Sequence, residues 1–148
     1  MYKHILVPTD GSALSNRAIR AAVKLARNFR ARITGVHVIP PYTPPVYGEA
    51  AVYVADIGPR RYREMMEKAA RRALAVLEKQ AKAARVRCKT RALTTNQPWQ
   101  GILRTARSRR CDVIVMASHG RRGLTGLLLG SETTKVLTHS KIPVLVCR

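Results

Sequence analysis

The chain has 148 residues, of which 46% are hydrophobic, enough for one domain with a real core and too few for two of ordinary size. No run approaches the length and apolarity of a bilayer span, and Met1-Tyr2-Lys3-His4 passes straight into Ile5-Leu6-Val7 without the basic head, apolar middle and cleavage site of a signal peptide. The 28 Lys+Arg against 8 Asp+Glu leave a formal charge of +20, which draws in phosphate-bearing ligands whatever their identity.

Ile5-Leu6-Val7 reads as a first strand ended by Pro8, and Thr9-Asp10-Gly11-Ser12 as a turn that offers helix N-caps in Ser12 and Ser15. In the helix that follows, Ala18, Ala22, Leu25, Ala26 and Phe29 recur at steps of three and four, with Arg17, Arg20, Lys24 and Arg27 on the other face. A β-rich run from Arg32 to Ile39 stops at Pro40-Pro41 and completes a strand–helix–strand unit. Residues 40–58, with their prolines and tyrosines, fit no regular element and read either as a lid or as a passive connection packed by Tyr42, Tyr47 and Tyr53.

From Pro59 to Arg85, the spacing of Met66, Ala70, Ala73, Leu77, Ala81 and Ala84 predicts a long helix, followed by a strand over Cys88 to Thr94. Pro98 suits the first turn of a third helix with Trp99, Ile102, Leu103 and Ala106 inward, and the apolar Val113-Ile114-Val115-Met116-Ala117 suits a buried central strand. Ser131 is the expected cap of a short helix reaching about His139, and Pro143-Val144-Leu145-Val146-Cys147 is the fifth strand. Strands alternating with helices of this length predict an α/β, doubly wound parallel sheet with helices on both faces, and such sheets hold ligands beyond the carboxyl ends of their strands.

The segment Ala117-Ser118-His119-Gly120, followed after nine residues by Gly130-Ser131 opening a helix, has the character of a phosphate cradle. Glycine lets backbone approach phosphate oxygens and adopt positive φ, and a helix N-terminus aims N–H groups at an anion; ordinary loop geometry also accounts for such glycines. Cys88, Cys111 and Cys147 are odd in number, widely separated and without CxxC spacing, so neither a disulfide framework nor a zinc site is indicated, and a reducing cytosol is the expected compartment.

Met116-Ala117-Ser118-His119-Gly120-Arg121-Arg122-Gly123-Leu124, Leu128-Leu129-Gly130-Ser131 and the closing Pro143-Val144-Leu145-Val146 closely resemble the universal stress protein family. The opening Ile5-Leu6-Val7-Pro8-Thr9-Asp10-Gly11-Ser12 and Val36-His37-Val38 match it too, so the resemblance spans residues 1–148. It implies a five-stranded sheet in the order 3-2-1-4-5, of the adenine nucleotide alpha hydrolase type, usually dimeric, with an ATP pocket in many members. The ATP-binding pattern of Gly, two residues, Gly, nine residues, Gly and Ser or Thr falls on Ala117, Gly120, Gly130 and Ser131, and so departs at its first position. The methyl of Ala117 interferes with a ligand only if the ligand packs directly on that backbone.

The same resemblance implies that Pro8, Thr9 and Asp10 line the nucleoside and metal side, that Val38 meets the adenine through its backbone, and that His119 lies in the nucleotide loop. It also implies that Ser131, Glu132 and Thr133 present backbone N–H groups, and the two hydroxyls, to phosphates. Glu132 is awkward there, since a carboxylate suits a helix first turn and repels a phosphate sharing it; pointing away would resolve the conflict. Asp10 could hold Mg²⁺ together with the phosphates, or cap the turn and the helix start. His119 could act as acid or base, although no carboxylate or nucleophile beside it in sequence completes a set, and a structural loop histidine is the alternative. No Walker or kinase signature is present, so the expectation is binding with slow hydrolysis at most.

Two other readings follow from the residues. Arg60, Arg61, Arg63, Arg71, Arg72, Arg85, Arg87, Lys89 and Arg91 would give a nonspecific nucleic-acid surface through counterion release, or simply a solvated one. Alternatively, Ala117 and Glu132 mark a lost nucleotide site in an interaction protein of the same fold. The apolar Val144-Leu145-Val146 at a sheet edge needs covering, and a homodimer through paired final strands, Val144 to Cys147, would cover it.

Overall fold

In the computed structural model, residues 1–44, 57–120 and 129–148 are described. The elements run β1 (His4–Pro8), α1 (Ala13–Phe29), β2 (Arg32–Ile39), α2 (Gly58–Ala83), β3 (Cys88–Thr94), α3 (Pro98–Ser108), β4 (Val113–Ala117), α4 (Ser131–His139) and β5 (Val144–Cys147). The five strands form one parallel sheet in the order β3-β2-β1-β4-β5. The expected topology is therefore present, and its switch point lies between β1 and β4.

Strand alternation divides the core. Ile5, Val7, Ile33, Val113 and Val115 face α1 and α2, packing with Ile19, Ala22, Ala26, Leu77 and Ala81. Leu6, Val36, Ile114 and Met116 face the opposite way, toward Ile102 and Ala106 of α3 and Val136 of α4. β4 is buried along its whole length, as expected for a central parallel strand covered on both sides. The inner stripe of α1 includes Ser15, Ile19 and Val23 besides the expected alanines, whereas Leu25 and Phe29 are half-buried at its margin. In α2, Leu74 joins Ala70, Ala73, Leu77 and Ala81, while Met66 and Ala84 are half-buried.

Ser12 caps α1, its Oγ accepting from the Ser15 N–H at 3.1 Å. Ser131, expected as the cap of α4, is instead its first helical residue: Gly130 occupies the cap with φ −74° and ψ 157°, and no side chain caps the helix. Of the Pro/Tyr segment, Tyr42 packs on Tyr62 with ring centroids 5.5 Å apart, and the Tyr62 hydroxyl donates to the Pro40 carbonyl at 2.9 Å. Of residues 40–58, to which the lid reading applies, 45–56 with Tyr47 and Tyr53 lie outside the described residues, as do Arg121, Arg122, Gly123, Leu124 and Leu128.

Candidate functional site at the strand ends

β1 delivers Pro8 and then a loop whose polar groups are consumed by holding its own shape. The Gly11 N–H donates to Thr9 Oγ1 at 3.2 Å, Thr9 Oγ1 lies 3.0 Å from Ser15 Oγ, and Ser15 Oγ donates to the Ser12 carbonyl at 2.9 Å. Since Ser15 has one hydroxyl proton and gives it to Ser12, the Thr9 hydroxyl donates to Ser15. The Thr9 hydroxyl proton is thus committed inside the loop. Asp10 Oδ1 accepts from the Ser12 N–H at 3.0 Å, closing an Asx turn, and Gly11 turns the chain at φ 80°, a conformation glycine adopts without strain.

His37 was not among the expected site residues, yet it anchors this loop from β2. It is buried, and its Nδ1 lies 2.9 Å from the Thr9 carbonyl; a carbonyl only accepts, so Nδ1 carries the proton. A histidine in the otherwise apolar run Val36 to Ile39 was the available signal. One residue on, Val38 is placed by alternation. The Val36 carbonyl accepts from the Thr9 N–H at 2.9 Å, so it faces β1, and Val38 presents its N–H and C=O to that same side, where β1 has already ended.

β4 brings the second loop alongside. Ala117 is buried, and alternation sets its methyl on the α1 face with Val113 and Val115. Its carbonyl accepts from the Thr133 hydroxyl at 3.0 Å. That hydroxyl, expected to serve phosphates, instead ties α4 to the end of β4, leaving the Thr133 N–H in the helix first turn. Ser118 is buried and lies 3.1 Å from His119 Nδ1 through its Oγ.

The two loops meet at Gly120. A Cβ at residue 120 would strike the Asp10 carboxylate, and one at residue 130 would lie 3.1 Å from His119 Cβ and 3.2 Å from His119 Cα. Neither residue has positive φ, so what glycine provides at both is close approach rather than a backbone conformation. The Gly130 N–H donates to the Ser118 carbonyl at 2.7 Å, which sets α4 directly behind the loop. The first-turn N–H groups of Ser131, Glu132 and Thr133 have no partner within the helix and give its N-terminus a partial positive charge.

Glu132 points away from that terminus. Its Oε2 accepts from the Trp99 N–H at 2.8 Å and its Oε1 pairs with Lys135 Nζ at 3.3 Å. The structure thus brings Pro8, Thr9, Asp10, Val38, Gly120, Gly130 and Ser131 to one end of the sheet and turns Glu132 and the hydroxyl of Thr133 to structural work. Elsewhere, burial pushes the thiol pKa of Cys88 and Cys111 up to about 11, so the reactive thiolate is scarce near neutral pH.

Residues 1–148 match the profile of the Universal stress protein family. Universal stress protein MJ0531 of Methanocaldococcus jannaschii is 30% identical over 148 residues, covering 100% of this chain and 83% of the relative. Universal stress protein YxiE of Bacillus subtilis is 31% identical over 156 residues, covering 100% of both. Among solved structures, MJ0577 superposes with a TM-score of 0.78 at 26% identity over 99% of this chain and 96% of its own. A universal stress protein in complex with cAMP has a TM-score of 0.69 at 23% identity, covering 98% and 95%. One from Archaeoglobus fulgidus in complex with dAMP has 0.62 at 20%, covering 99% and 98%. With the sheet order and the two loops already in place, these matches establish that the chain belongs to the universal stress protein family and has its adenine nucleotide alpha hydrolase-like fold.

Proposed function

We propose that residues 1–148 act as one universal stress protein domain that binds an adenine nucleotide, ATP in the first instance, at the carboxyl ends of β1, β2 and β4. The observation that carries this reading is the junction of Asp10 and Gly120, where a side chain at the glycine would strike the Asp10 carboxylate of the neighbouring loop, with Gly130 packed closely on His119 behind it. Beside it, the uncapped first turn of α4 supplies N–H donors of the kind that phosphates take. The Val38 backbone offers one donor and one acceptor at the end of β1, which is how backbone reads the edge of an adenine. The cAMP and dAMP complexes support the reading at the level of the fold.

In this role Pro8 and Thr9 line the nucleoside, and the Asp10 carboxylate is the group suited to a Mg²⁺ held jointly with phosphate oxygens. Glu132 pointing toward Trp99 removes the repulsion that its position in sequence threatened. Ala117, turned onto the α1 face, does not set its methyl between the glycines. His119 pairs with the hydroxyl of its neighbour Ser118, the contact of a loop histidine, and the role is regulatory binding in the stress response, in a reducing cytosol, with slow hydrolysis at most.

The chain pairs with a second copy through β5. The carbonyls of Pro143 and Cys147 face β4, accepting from Ile114 and Ser118 at 2.9 and 2.8 Å; by alternation, Val144 and Val146 turn their N–H and C=O outward. Leu145 is exposed there as well, and an apolar edge of this kind is what strand pairing covers.

Calorimetric titration with Mg-ATP, with Mg-GTP as control, at a salt concentration that screens charge beyond about 10 Å, tests the nucleotide reading. ATP binding that survives the salt and exceeds GTP binding is expected. Equal, salt-sensitive heats from both would contradict a specific adenine pocket.

A further inference from the structure

At the end of the sheet opposite the nucleotide loops, α1, α2 and α3 stop in the same way. Arg30, Arg85 and Arg110 adopt left-handed backbone conformations, with φ of 53°, 57° and 52°. Each donates its N–H three residues back, to the carbonyls of Arg27, Lys82 and Arg107 at 3.3, 3.1 and 3.0 Å. The next residue, Ala31, Val86 or Cys111, donates to Ala26, Ala81 or Ala106 at 2.8, 2.9 and 2.8 Å. These are three Schellman ends, whose left-handed position is normally glycine because a Cβ there is unfavourable.

This chain holds arginine at all three left-handed positions and a basic residue three earlier each time. One basic side chain per helix end would serve the helix dipole; Arg32, Arg87 and Arg109 exceed that need. Register sets Arg32 beside His4, and Arg87 leads into the pairing of β3 with Ile33, so the bases continue across neighbouring strands spaced about 4.8 Å. All of them are exposed.

The only acid in these three crossings, Asp112, is turned onto backbone, accepting from the Lys3 and His4 N–H groups at 2.7 and 3.2 Å. The ion pairs among the described residues, Arg60–Glu64, Arg71–Glu67 and Lys135–Glu132, leave this rim untouched. A groove between α1 and α2, lined by Arg20, Lys24, Arg27, Asn28 and Gln80, opens onto it.

We propose that this rim is a second binding surface, for the phosphate backbone of duplex nucleic acid, separate from the nucleotide site. Guanidinium dominates over ammonium, which favours the bidentate geometry of phosphate, and repeated charges along the row match a polymer that carries one negative charge per about 3.4 Å of each strand. The aromatic pair beside the rim, Tyr2 and Phe29, is half-buried and packed edge to face on itself, so contacts to the phosphate backbone dominate and the binding is independent of sequence. The rim is made of helix ends rather than an amphipathic face, which argues against insertion into a membrane.

The test uses the triple variant Arg30→Gly, Arg85→Gly, Arg110→Gly, in which each glycine relieves the left-handed backbone and so preserves the fold. A control of equal charge change, Arg61→Gln, Arg63→Gln, Arg72→Gln, alters α2 elsewhere. Fluorescence anisotropy of a labelled duplex DNA of mixed sequence is read across a salt series, alongside pelleting with phosphatidylserine vesicles. The rim variant is expected to weaken DNA binding by about tenfold or more and to reduce the log–log salt slope by about 2.7, or about 0.9 for each phosphate no longer neutralised, while the control changes both less. Equal losses in the two variants, no binding by the native chain, or binding to vesicles without binding to DNA would each overturn the proposal. ATP affinity, measured on the same rim variant, is expected to be unchanged.

Discussion

The carboxylate of Glu132 accepts the backbone N–H of Trp99 at 2.8 Å, so a residue in the first turn of α4 caps the first turn of α3. The cap residue of α3, Gln97, makes no side-chain capping bond of its own, and the stacking of Trp99 on His139, with centroids 4.5 Å apart, joins the same two helices. Glu132→Ala removes the cap and is expected to cost about 1 kcal/mol, with Glu132→Gln costing less because an acceptor remains. Urea unfolding followed by Trp99 fluorescence measures both; a variant as stable as the native chain would show that the bond contributes nothing.

Gly120→Ala drives a methyl into the Asp10 carboxylate. Asp10 closes the loop through the Ser12 N–H, so the expected result is ATP affinity lowered about tenfold, the equivalent of about 1.4 kcal/mol, with a much smaller change in melting temperature. Calorimetry on the variant reads the first quantity and a thermal melt the second.

His4 is buried against Thr34, with Nε2 and Oγ1 2.8 Å apart, and its pKa is lowered from 6.5 by burial and then by the charge of Arg32. The unfolded chain therefore takes up a proton at a pH where the folded chain does not, so stability is complete above about 6.5 and falls as the pH drops below it, levelling once the lowered native pKa is passed. His4→Gln keeps a polar partner for Thr34 and removes the titration. The difference in melting temperature between pH 7 and pH 5.5 is expected to be smaller in the variant than in the native chain.

Val146→Pro deletes an outward-facing N–H from the edge of β5 and leaves the inward carbonyls of Pro143 and Cys147 in place. Light scattering is expected to show a folded monomer. A folded dimer would move the interface elsewhere.

Much of this was legible in the residues. The apolar run Val113 to Ala117 is a buried strand, and the steps of three and four in α1 and α2 mark their inner faces. What periodicity cannot convey is direction across the fold. Glu132 escapes the phosphate end because α3 happens to begin beside it, and Thr133 commits its hydroxyl to Ala117 because α4 sits behind β4. The role of His37 follows from strand alternation combined with the path of the Thr9 loop. The ends of α1, α2 and α3 gave no glycine stop signal because arginine stands where glycine usually does.

A basic chain can attract ATP without any pocket, so locating the nucleotide tests the account most directly. Amide chemical-shift changes on titration with Mg-ATP are expected at Thr9, Asp10, Gly11, Val38, Gly120 and Gly130 to Thr133, with Arg30, Arg85 and Arg110 unmoved. Changes confined to those three arginines, or spread evenly over the surface, would contradict a nucleotide site at the strand ends.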